Sequence, residues 1–125
     1  MTTILIIEDE QEIAQLLKER LECEGYKTNV AYTASEGLAK LKESRPDMIT
    51  LDIFLPDSNG LSILRMLKKD PETYTIPVII VSSSEEVKKA KELGAKEFIP
   101  KPVNFDKLFK IIKSCIAFGE AKGEK

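Results

Sequence analysis

The chain has 125 residues, 42% of them hydrophobic and 32% charged, and its formal net charge at pH 7 is −2. This length suits a single domain with an ordinary hydrophobic core, and the charge argues against a general nucleic-acid or membrane binder, which would carry a strong basic excess. The chain contains no histidine, which excludes a hydrolase of the Ser-His-Asp type and removes the most common zinc ligand.

Short runs of β-forming residues alternate with helical patterns five times along the chain. The predicted strands are residues 4–7, 28–31, 48–51, 78–81 and 97–99. The first, third and fourth runs are continuous apolar blocks, which is typical of strands that are covered on both faces of a sheet.

Helical patterns follow the first two predicted strands. The hydrophobic residues of the first pattern recur at helical spacing and are expected in the core, and Gly25 then provides a stop. They are Ile13, Leu16, Leu17 and Leu21. Thr33 and Glu36 have the spacing of a capping box and open a second helix, which ends before Pro46.

Three more helices follow the later strands. One spans residues 60–69 and stops before Pro71, one spans residues 85–93 and is closed by Gly94, and Asn104 is a candidate N-cap for the last. Cys23 and Cys115 lie within helical patterns without metal-ligand spacing, and we expect reduced, buried thiols in a cytoplasmic protein. The predicted domain covers residues 1–118, followed at 119–125 by a frayed tail or the start of a linker.

Five units of strand and helix predict an α/β fold. Because crossover connections between parallel strands are right-handed, few topologies remain. We expect a doubly wound, five-stranded parallel sheet with strand order 2-1-3-4-5 and five helices, the flavodoxin-like arrangement.

Polar side chains stand at the carboxyl ends of the predicted strands. Glu8 and Asp9 follow the first strand, Asp52 the third, Ser82 the fourth and Lys101 the fifth. Ligands of such sheets bind beyond these ends, at the point where the strand order reverses. Three acids, a hydroxyl and a lysine are therefore expected at one edge. Glu8, Asp9 and Glu10, taken alone, could instead form the acidic first turn of a helix.

Crowded carboxylates need a cation. Two carboxylates about 4 Å apart repel by roughly 4 kcal/mol at an effective dielectric constant near 20, so the pocket must hold a cation or protonate one member. Oxygen ligands with positions left open suit Mg²⁺. An aspartate such as Asp52 is a suitable phosphoryl acceptor, since the transfer requires mainly alignment and charge neutralisation. Lys101 and Ser82 can donate to phosphoryl oxygens.

Four segments resemble the receiver domains of response regulators in two-component signalling, of which the chemotaxis regulators are examples. They are residues 4–9 (ILIIED), 52–60 (DIFLPDSNG), 77–82 (PVIIVS) and 101–102 (KP). The resemblance extends over about residues 3–117 and implies phosphorylation of Asp52 in the presence of Mg²⁺. It implies that Asp9 binds the metal directly, Glu8 through water and Phe54 through its backbone carbonyl.

The resemblance also implies a switch. Ser82 and Lys101 would contact the phosphoryl group, the Lys101–Pro102 bond would be cis, and Ser82, Phe98 and Pro102 would rearrange. Ser82 replaces the more common threonine, Ser83 stands where a small apolar residue is typical, and Phe98 stands where the family often has tyrosine. A switch at Phe98 would therefore act by packing.

The partners that the resemblance implies are proteins. A sensor histidine kinase or a phosphotransfer protein would be the donor. An effector, or a second copy in a homodimer, would bind the face formed by the fourth helix, the fifth strand and the fifth helix. Six lysines are expected on this face: Lys88, Lys89, Lys91, Lys96, Lys107 and Lys110. No direct nucleic-acid or membrane partner is expected.

Two alternatives remain open. An aspartate-nucleophile phosphatase or phosphotransferase would use a similar sheet, but such enzymes place a second aspartate two residues after the nucleophile, where this chain has Phe54. The other is a pseudo-receiver that binds partners without phosphorylation. The favoured hypothesis is a receiver that is not an enzyme beyond its own phosphoryl acceptance and slow autodephosphorylation.

Overall fold

Five strands and five helices alternate along the chain in the computed structural model, which describes residues 1–123 and the side chains of residues 1–116. The strands are β1 (Thr3–Ile7), β2 (Lys27–Ala31), β3 (Met48–Leu51), β4 (Val78–Ser82) and β5 (Glu97–Pro100). The helices are α1 (Gln11–Cys23), α2 (Ala34–Glu43), α3 (Gly60–Lys69), α4 (Val87–Glu92) and α5 (Phe105–Gly123).

All strands pair in parallel in the order β2-β1-β3-β4-β5. The predicted fold class and strand order are confirmed. Ile7 at the end of β1 is level with Leu51 at the end of β3, and the chain reverses its direction of progress across the sheet at this pair. The residues that follow these two strands therefore emerge side by side.

Two hydrophobic layers enclose the sheet, because successive residues of a strand point to opposite faces. Leu5 and Ile7 belong to the layer covered by α2, α3 and α4, and Ile4 and Ile6 belong to the layer covered by α1 and α5. Both layers are buried, which explains why β1 is hydrophobic at every position from Ile4 to Ile7 instead of alternating.

The predicted helix caps are present. Thr33 Oγ1 accepts the N–H of Glu36 at 3.0 Å, and Asn104 Oδ1 accepts the N–H of Lys107 at 3.1 Å. The Glu36 carboxylate accepts the N–H of Tyr32 at 2.9 Å. In a capping box it would accept the N–H of Thr33, so the second bond of the predicted box is made to the residue before the cap. These bonds satisfy backbone donors that have no partner within the helix.

Helix α4 begins later than expected. The sequence predicts a helix over residues 85–93, but α4 starts at Val87. The Ser82 hydroxyl accepts the N–H of Ser84 at 3.3 Å, and the Ser84 hydroxyl accepts the N–H of Glu86 at 3.1 Å. Serine hydroxyls that bond to nearby backbone donors compete with helix formation, so the serine run delays the helix.

Two residues of α1 expected in the interior face solvent. The buried stripe of α1 consists of Ala14, Leu17 and Leu21. Leu16 is 45% exposed, and Cys23 is an exposed free thiol, because each points away from this stripe on a helix that turns about 100° per residue. Cys115 is a half-buried free thiol, and burial raises the pKa of its thiol.

The end of the chain tests the predicted domain boundary only in part. The expected tail at 119–125 includes residues 124 and 125, which lie outside the described residues, so that boundary stays a prediction. Across the described helices, no stretch combines the length and the hydrophobicity that a bilayer crossing requires.

Candidate functional site

The site begins where β1 and β3 end. The Asp52 amide donates to the carbonyl of Ile7 at 3.0 Å, and the Glu8 amide donates to the carbonyl of Ala31 at 2.9 Å. Each residue thus extends the ladder of hydrogen bonds one position beyond its strand. Glu8 is 1% exposed and Asp52 is 3% exposed, so two carboxyl groups are held under the surface at the same edge.

Lys101 joins these acids from the end of β5. Its Nζ atom lies 2.6 Å from Glu10 Oε2, 2.9 Å from Glu8 Oε1 and 3.0 Å from Asp52 Oδ2. Burial alone would lower the pKa of Lys101, but its side-chain interactions with Glu10, Glu8 and Asp52, together with the charge of Glu8, outweigh burial and hold the pKa above its ordinary value. The lysine therefore stays positively charged at neutral pH. Its predicted convergence with Glu8 and Asp52 is present in the structure.

One backbone hydrogen bond holds Lys101 at the site. Its amide donates to the carbonyl of Ser82 at 3.1 Å, which ties the segment after β5 to the end of β4. The Lys101–Pro102 peptide bond is cis, as expected from the resemblance, and Pro102 itself is exposed.

Glu8 has the most perturbed carboxyl group of the site. Burial and the charge of Asp52 raise its pKa from 4.5 to about 7, although Lys101 and the Glu10 amide act in the opposite direction. Oε2 accepts the Glu10 amide at 3.2 Å. Oε1 is buried without a hydrogen-bond partner among the described residues, because the nearby Lys101 ammonium is poorly aligned with it. A buried oxygen of this kind favours protonation or a cation.

The donor set fits a hard divalent cation. One carboxylate oxygen from each of Glu8, Glu10 and Asp52 lies within 4.8 Å of the others. Three acids around one lysine leave excess negative charge when all are ionised, and Glu8 Oε1, although 2.9 Å from Lys101 Nζ, has no hydrogen-bond partner among the described residues. Oxygen ligands in this number suit Mg²⁺, which usually takes one or two carboxylates and completes its shell with water.

The acidic group differs in one member from the predicted metal ligands. Asp9 is half-buried and lies outside the group, so its role as a direct ligand stays a prediction. Glu10 lies inside the group, and sequence reasoning assigned it no role beyond a helical first turn. Its position directly after Glu8 and Asp9 was the only sign in the sequence that Glu10 could belong to the site. Spacing does not show which of three successive acids has its side chain directed towards Lys101.

The loop between β3 and α3 carries Phe54. Its side chain is 57% exposed, its amide donates to Asp52 Oδ1 at 3.3 Å, and its backbone pairs with Asn59. The amide of Gly60 then donates to the carbonyl of Ile53 at 2.7 Å. The loop therefore closes tightly over the end of β3, and the metal role of the Phe54 carbonyl stays a prediction.

Asp57 anchors the far side of this loop to another helix. Its Oδ1 accepts the amide of Ala34 at 2.8 Å, and its Oδ2 accepts the amide of Ser35 at 2.9 Å. These hydrogen bonds, that of Ser35 first, lower the pKa of Asp57. Sequence reasoning did not identify this contact, because the partners are 22 and 23 positions apart and no local pattern links them.

The predicted switch residues occupy different environments. Ser82 is fully buried at the end of β4, and its hydroxyl accepts the amide of Ser84. Phe98 is 4% exposed and packs in the hydrophobic layer beneath α2, α3 and α4. Neither position tests a rearrangement, so the switch stays a prediction.

Sequence comparisons relate the chain to known proteins. The family model described as response regulator receiver domain matches residues 4–113. The chain is 36% identical over 120 residues to protein PilH of Pseudomonas aeruginosa, covering 94% of this chain and 99% of PilH. It is 34% identical over 116 residues to response regulator ArlR of Staphylococcus haemolyticus, covering 93% of this chain and 53% of ArlR, and so spans about half the length of that relative.

A solved structure has the same architecture. The signal receiver domain of a DNA-binding response regulator from Colwellia psychrerythraea superimposes with a TM-score of 0.88 at 33% sequence identity. The match covers 94% of this chain and 99% of that domain. The likeness therefore extends over nearly the whole chain.

Proposed function

The chain belongs to the response regulator receiver domain family, and from this premise we propose that it accepts a phosphoryl group on Asp52 in two-component signalling. The observation that carries the proposal is the buried carboxyl group of Asp52 at the end of β3, with the ammonium group of Lys101 at 3.0 Å. A buried carboxylate with a fixed cation beside it suits phosphoryl acceptance, a step governed by alignment and charge.

In the proposed reaction, an oxygen of Asp52 attacks the phosphorus of the donor. A new O–P bond forms, the bond from phosphorus to the donor nitrogen or oxygen breaks, and the leaving group keeps the bonding electrons. Lys101 neutralises charge at Oδ2, and the Phe54 amide holds Oδ1 at 3.3 Å. Ser82 is the further donor proposed to contact the phosphoryl group.

Mg²⁺ is part of the proposal. Bound at this site, it would neutralise the acids and the incoming phosphoryl oxygens. The proposed ligands are Asp52 and Asp9 directly, Glu8 through water and the carbonyl of Phe54. The acidic group of Glu8, Glu10 and Asp52 supports a cation at this position, and Glu10 is a further candidate.

Receiver domains of response regulators interact with histidine kinases or phosphotransfer proteins, and we propose a partner of this kind as donor. The proposed output is a rearrangement of Ser82, Phe98 and Pro102 that changes the face of α4, β5 and α5. All six lysines of this face are exposed, which supports an acidic effector, and a homodimer through this face is the alternative. A cytoplasmic location is also proposed, consistent with two free thiols.

We do not propose an enzyme acting on external substrates. An aspartate-nucleophile phosphatase would need a second acid to protonate its leaving group, and Phe54 at the corresponding position cannot supply a proton. The proposed chemistry is limited to phosphoryl acceptance by Asp52 and slow hydrolysis of the product.

The test is stoichiometric labelling by acetyl phosphate, followed by intact mass. Wild type and Asp70→Asn, which removes an exposed acid remote in sequence from the site, should each gain one phosphoryl group when Mg²⁺ is present and none when EDTA is added. Asp52→Asn should gain none. Labelling of Asp52→Asn equal to wild type would reject the acceptor, and continuous turnover of a small phosphoester would favour the phosphatase.

A further inference from the structure

Glu10 is the acid of the site to which the proposed reaction gives no definite task. Its side chain is 55% exposed, yet Oε2 lies 2.6 Å from Lys101 Nζ, closer than the oxygens of Glu8 or Asp52. Glu10 stands at the N-cap position of α1, but its side chain makes no capping hydrogen bond. The carboxylate is therefore directed to the lysine and not to the helix that it precedes.

We propose that Glu10 is a displaceable partner of Lys101, which holds the ammonium group in the unphosphorylated protein and releases it when a phosphoryl group on Asp52 takes its place. The inference rests on the proposed function. An ammonium group has three N–H donors, and three carboxylate groups already surround Nζ at 2.6 to 3.0 Å. Nζ donates hydrogen bonds to Glu10 and Asp52 and forms an ion pair with Glu8, so a phosphoryl oxygen that approaches Nζ is repelled by these carboxylates, and the one that separates most easily gives way.

Exposure decides which group withdraws. The side chain of Glu8 is only 2% exposed, and its release from Lys101 would leave a buried charge without a counter-ion. Asp52 carries the phosphoryl group and cannot leave. The half-exposed carboxylate of Glu10 can regain water as it separates, so its release costs the least.

The consequence is competition. Because Glu10 and the phosphoryl group compete for one cation, removal of the Glu10 charge should strengthen binding of a phosphoryl group or its analogue. A partly exposed ion pair corresponds to a factor of up to about five in a binding constant. The competition should also weaken as salt screens the pair.

Beryllofluoride, which mimics a phosphoryl group on aspartate, provides the experiment. Its dissociation constant would be measured by amide chemical shifts at saturating Mg²⁺ for wild type, Glu10→Gln and Glu12→Gln. Glu12 is an exposed acid in the first turn of α1, so its variant removes the same charge nearby without touching Lys101. We expect Glu10→Gln to bind about two- to five-fold more tightly than both other proteins.

Two further measurements separate contact from general charge. Glu10→Asp keeps the charge but shortens the side chain, so it should bind the analogue more tightly than wild type. The advantage of Glu10→Gln should shrink between low and high salt, which a merely structural effect of the substitution would not produce.

The outcomes are distinct from those of the proposed function. If wild type fails to bind beryllofluoride in the presence of Mg²⁺, the phosphoacceptor proposal is rejected. If wild type binds the analogue but Glu10→Gln binds it no more tightly than Glu12→Gln, the proposed role of Glu10 is overturned and the phosphoacceptor proposal stands. The same conclusion follows if wild type binds and Glu10→Asp has the affinity of wild type.

Discussion

Gly60 lies so close to the backbone of Asp52 that a Cβ atom built on Gly60 would stand 2.1 Å from the carbonyl oxygen of Asp52. It would also lie 2.7 Å from the Cα of Ile53. Real Cβ atoms do not approach backbone atoms this closely. The first residue of α3 must therefore be glycine for the loop to close over the strand that presents Asp52.

Substitution of Gly60 by alanine should damage both stability and labelling. The new methyl group must push apart two backbone segments, and overpacking of this kind costs about 1–3 kcal/mol of the free energy of unfolding. Since one of the displaced segments carries Asp52, labelling by acetyl phosphate should slow as well. Urea unfolding and the initial labelling rate are the measurements.

Gly25→Ala is the matched control for that experiment. Gly25 has a φ of +92°, and no atom lies within 4 Å of the Cβ position built on it. The substitution should cost roughly 1–2 kcal/mol through backbone strain alone and leave the labelling rate unchanged. Equal labelling rates for both variants would mean that the contact of Gly60 with Asp52 does not position the acceptor.

The lifetime of the proposed phosphoryl group should depend on Phe54. This residue is two positions beyond Asp52 and 57% exposed, and its amide donates to Asp52 Oδ1, so an apolar residue stands on the loop next to the acceptor. Phe54→Asn should hydrolyse several-fold faster, because a small polar side chain admits water and can orient it. Loss of the label after removal of acetyl phosphate measures the rate.

A second exposed aromatic residue supplies the control for Phe54. Tyr74 is 56% exposed and lies in the connection before β4 instead of at the site, so Tyr74→Asn should hydrolyse at the wild-type rate. If Phe54→Asn retains its label as long as Tyr74→Asn, Phe54 does not limit the attack of water on the phosphoryl group.

The fold could be predicted because its signals are local and redundant. Mostly apolar runs mark β1, β3 and β4, and Thr33 and Asn104 mark helix starts by hydrogen bonds to their own neighbours. The parallel sheet then brings Asp52 and Lys101 together without further information, since the carboxyl ends of its strands share one edge.

The parts that escaped prediction depend on side-chain direction. Glu10 meets a lysine 91 residues away, and Asp57 meets α2 across 22 and 23 residues. No periodic pattern specifies either contact. Leu16 illustrates the same limit, because helical spacing fits a stripe through Leu16 and Leu17 as well as the buried stripe through Ala14 and Leu17.

The contact between Asp57 and α2 should make stability depend on pH in the acidic range. Two backbone hydrogen bonds lower the pKa of Asp57 below its ordinary value of 3.8. Its ionised form is therefore favoured by folding, and this contribution is present above pH 3.8 and is lost as the pH falls through the lower pKa of the folded protein. Asp57→Asn should be less stable than wild type at pH 6, and the difference should shrink below about pH 3.8.

Urea unfolding from pH 3 to pH 6 would measure that difference. Asp106→Asn is the control, since Asp106 is an exposed acid in the first turn of α5 and helix dipoles favour both acids. Asp106→Asn should therefore show only the part of the pH-dependent change in the free energy of unfolding that comes from the helix dipole. A constant difference between wild type and Asp57→Asn over the whole range would show that the charge of Asp57 contributes nothing through these bonds.

Glu8 should produce the opposite dependence in the metal-free protein. Burial raises its pKa from 4.5 to about 7, so folding favours its protonated form. That contribution is fully present below pH 4.5 and is lost as the pH rises through about 7. Glu8→Gln, which resembles the protonated acid in shape and charge, should have a higher free energy of unfolding than wild type at pH 8 and nearly the same value at pH 4.5.

Mg²⁺ should stabilise wild type more than Glu8→Gln at pH 8. A cation that binds only the folded state stabilises it in proportion to the logarithm of its concentration relative to Kd, and wild type has one more carboxylate to hold it than Glu8→Gln. The stabilisation of wild type by Mg²⁺ should therefore exceed that of the variant, measured by urea unfolding with and without EDTA. Equal stabilisation of both proteins would mean that Oε1 of Glu8 does not bind the cation, directly or through water. Protonation alone would then offset the cost of burying this acid.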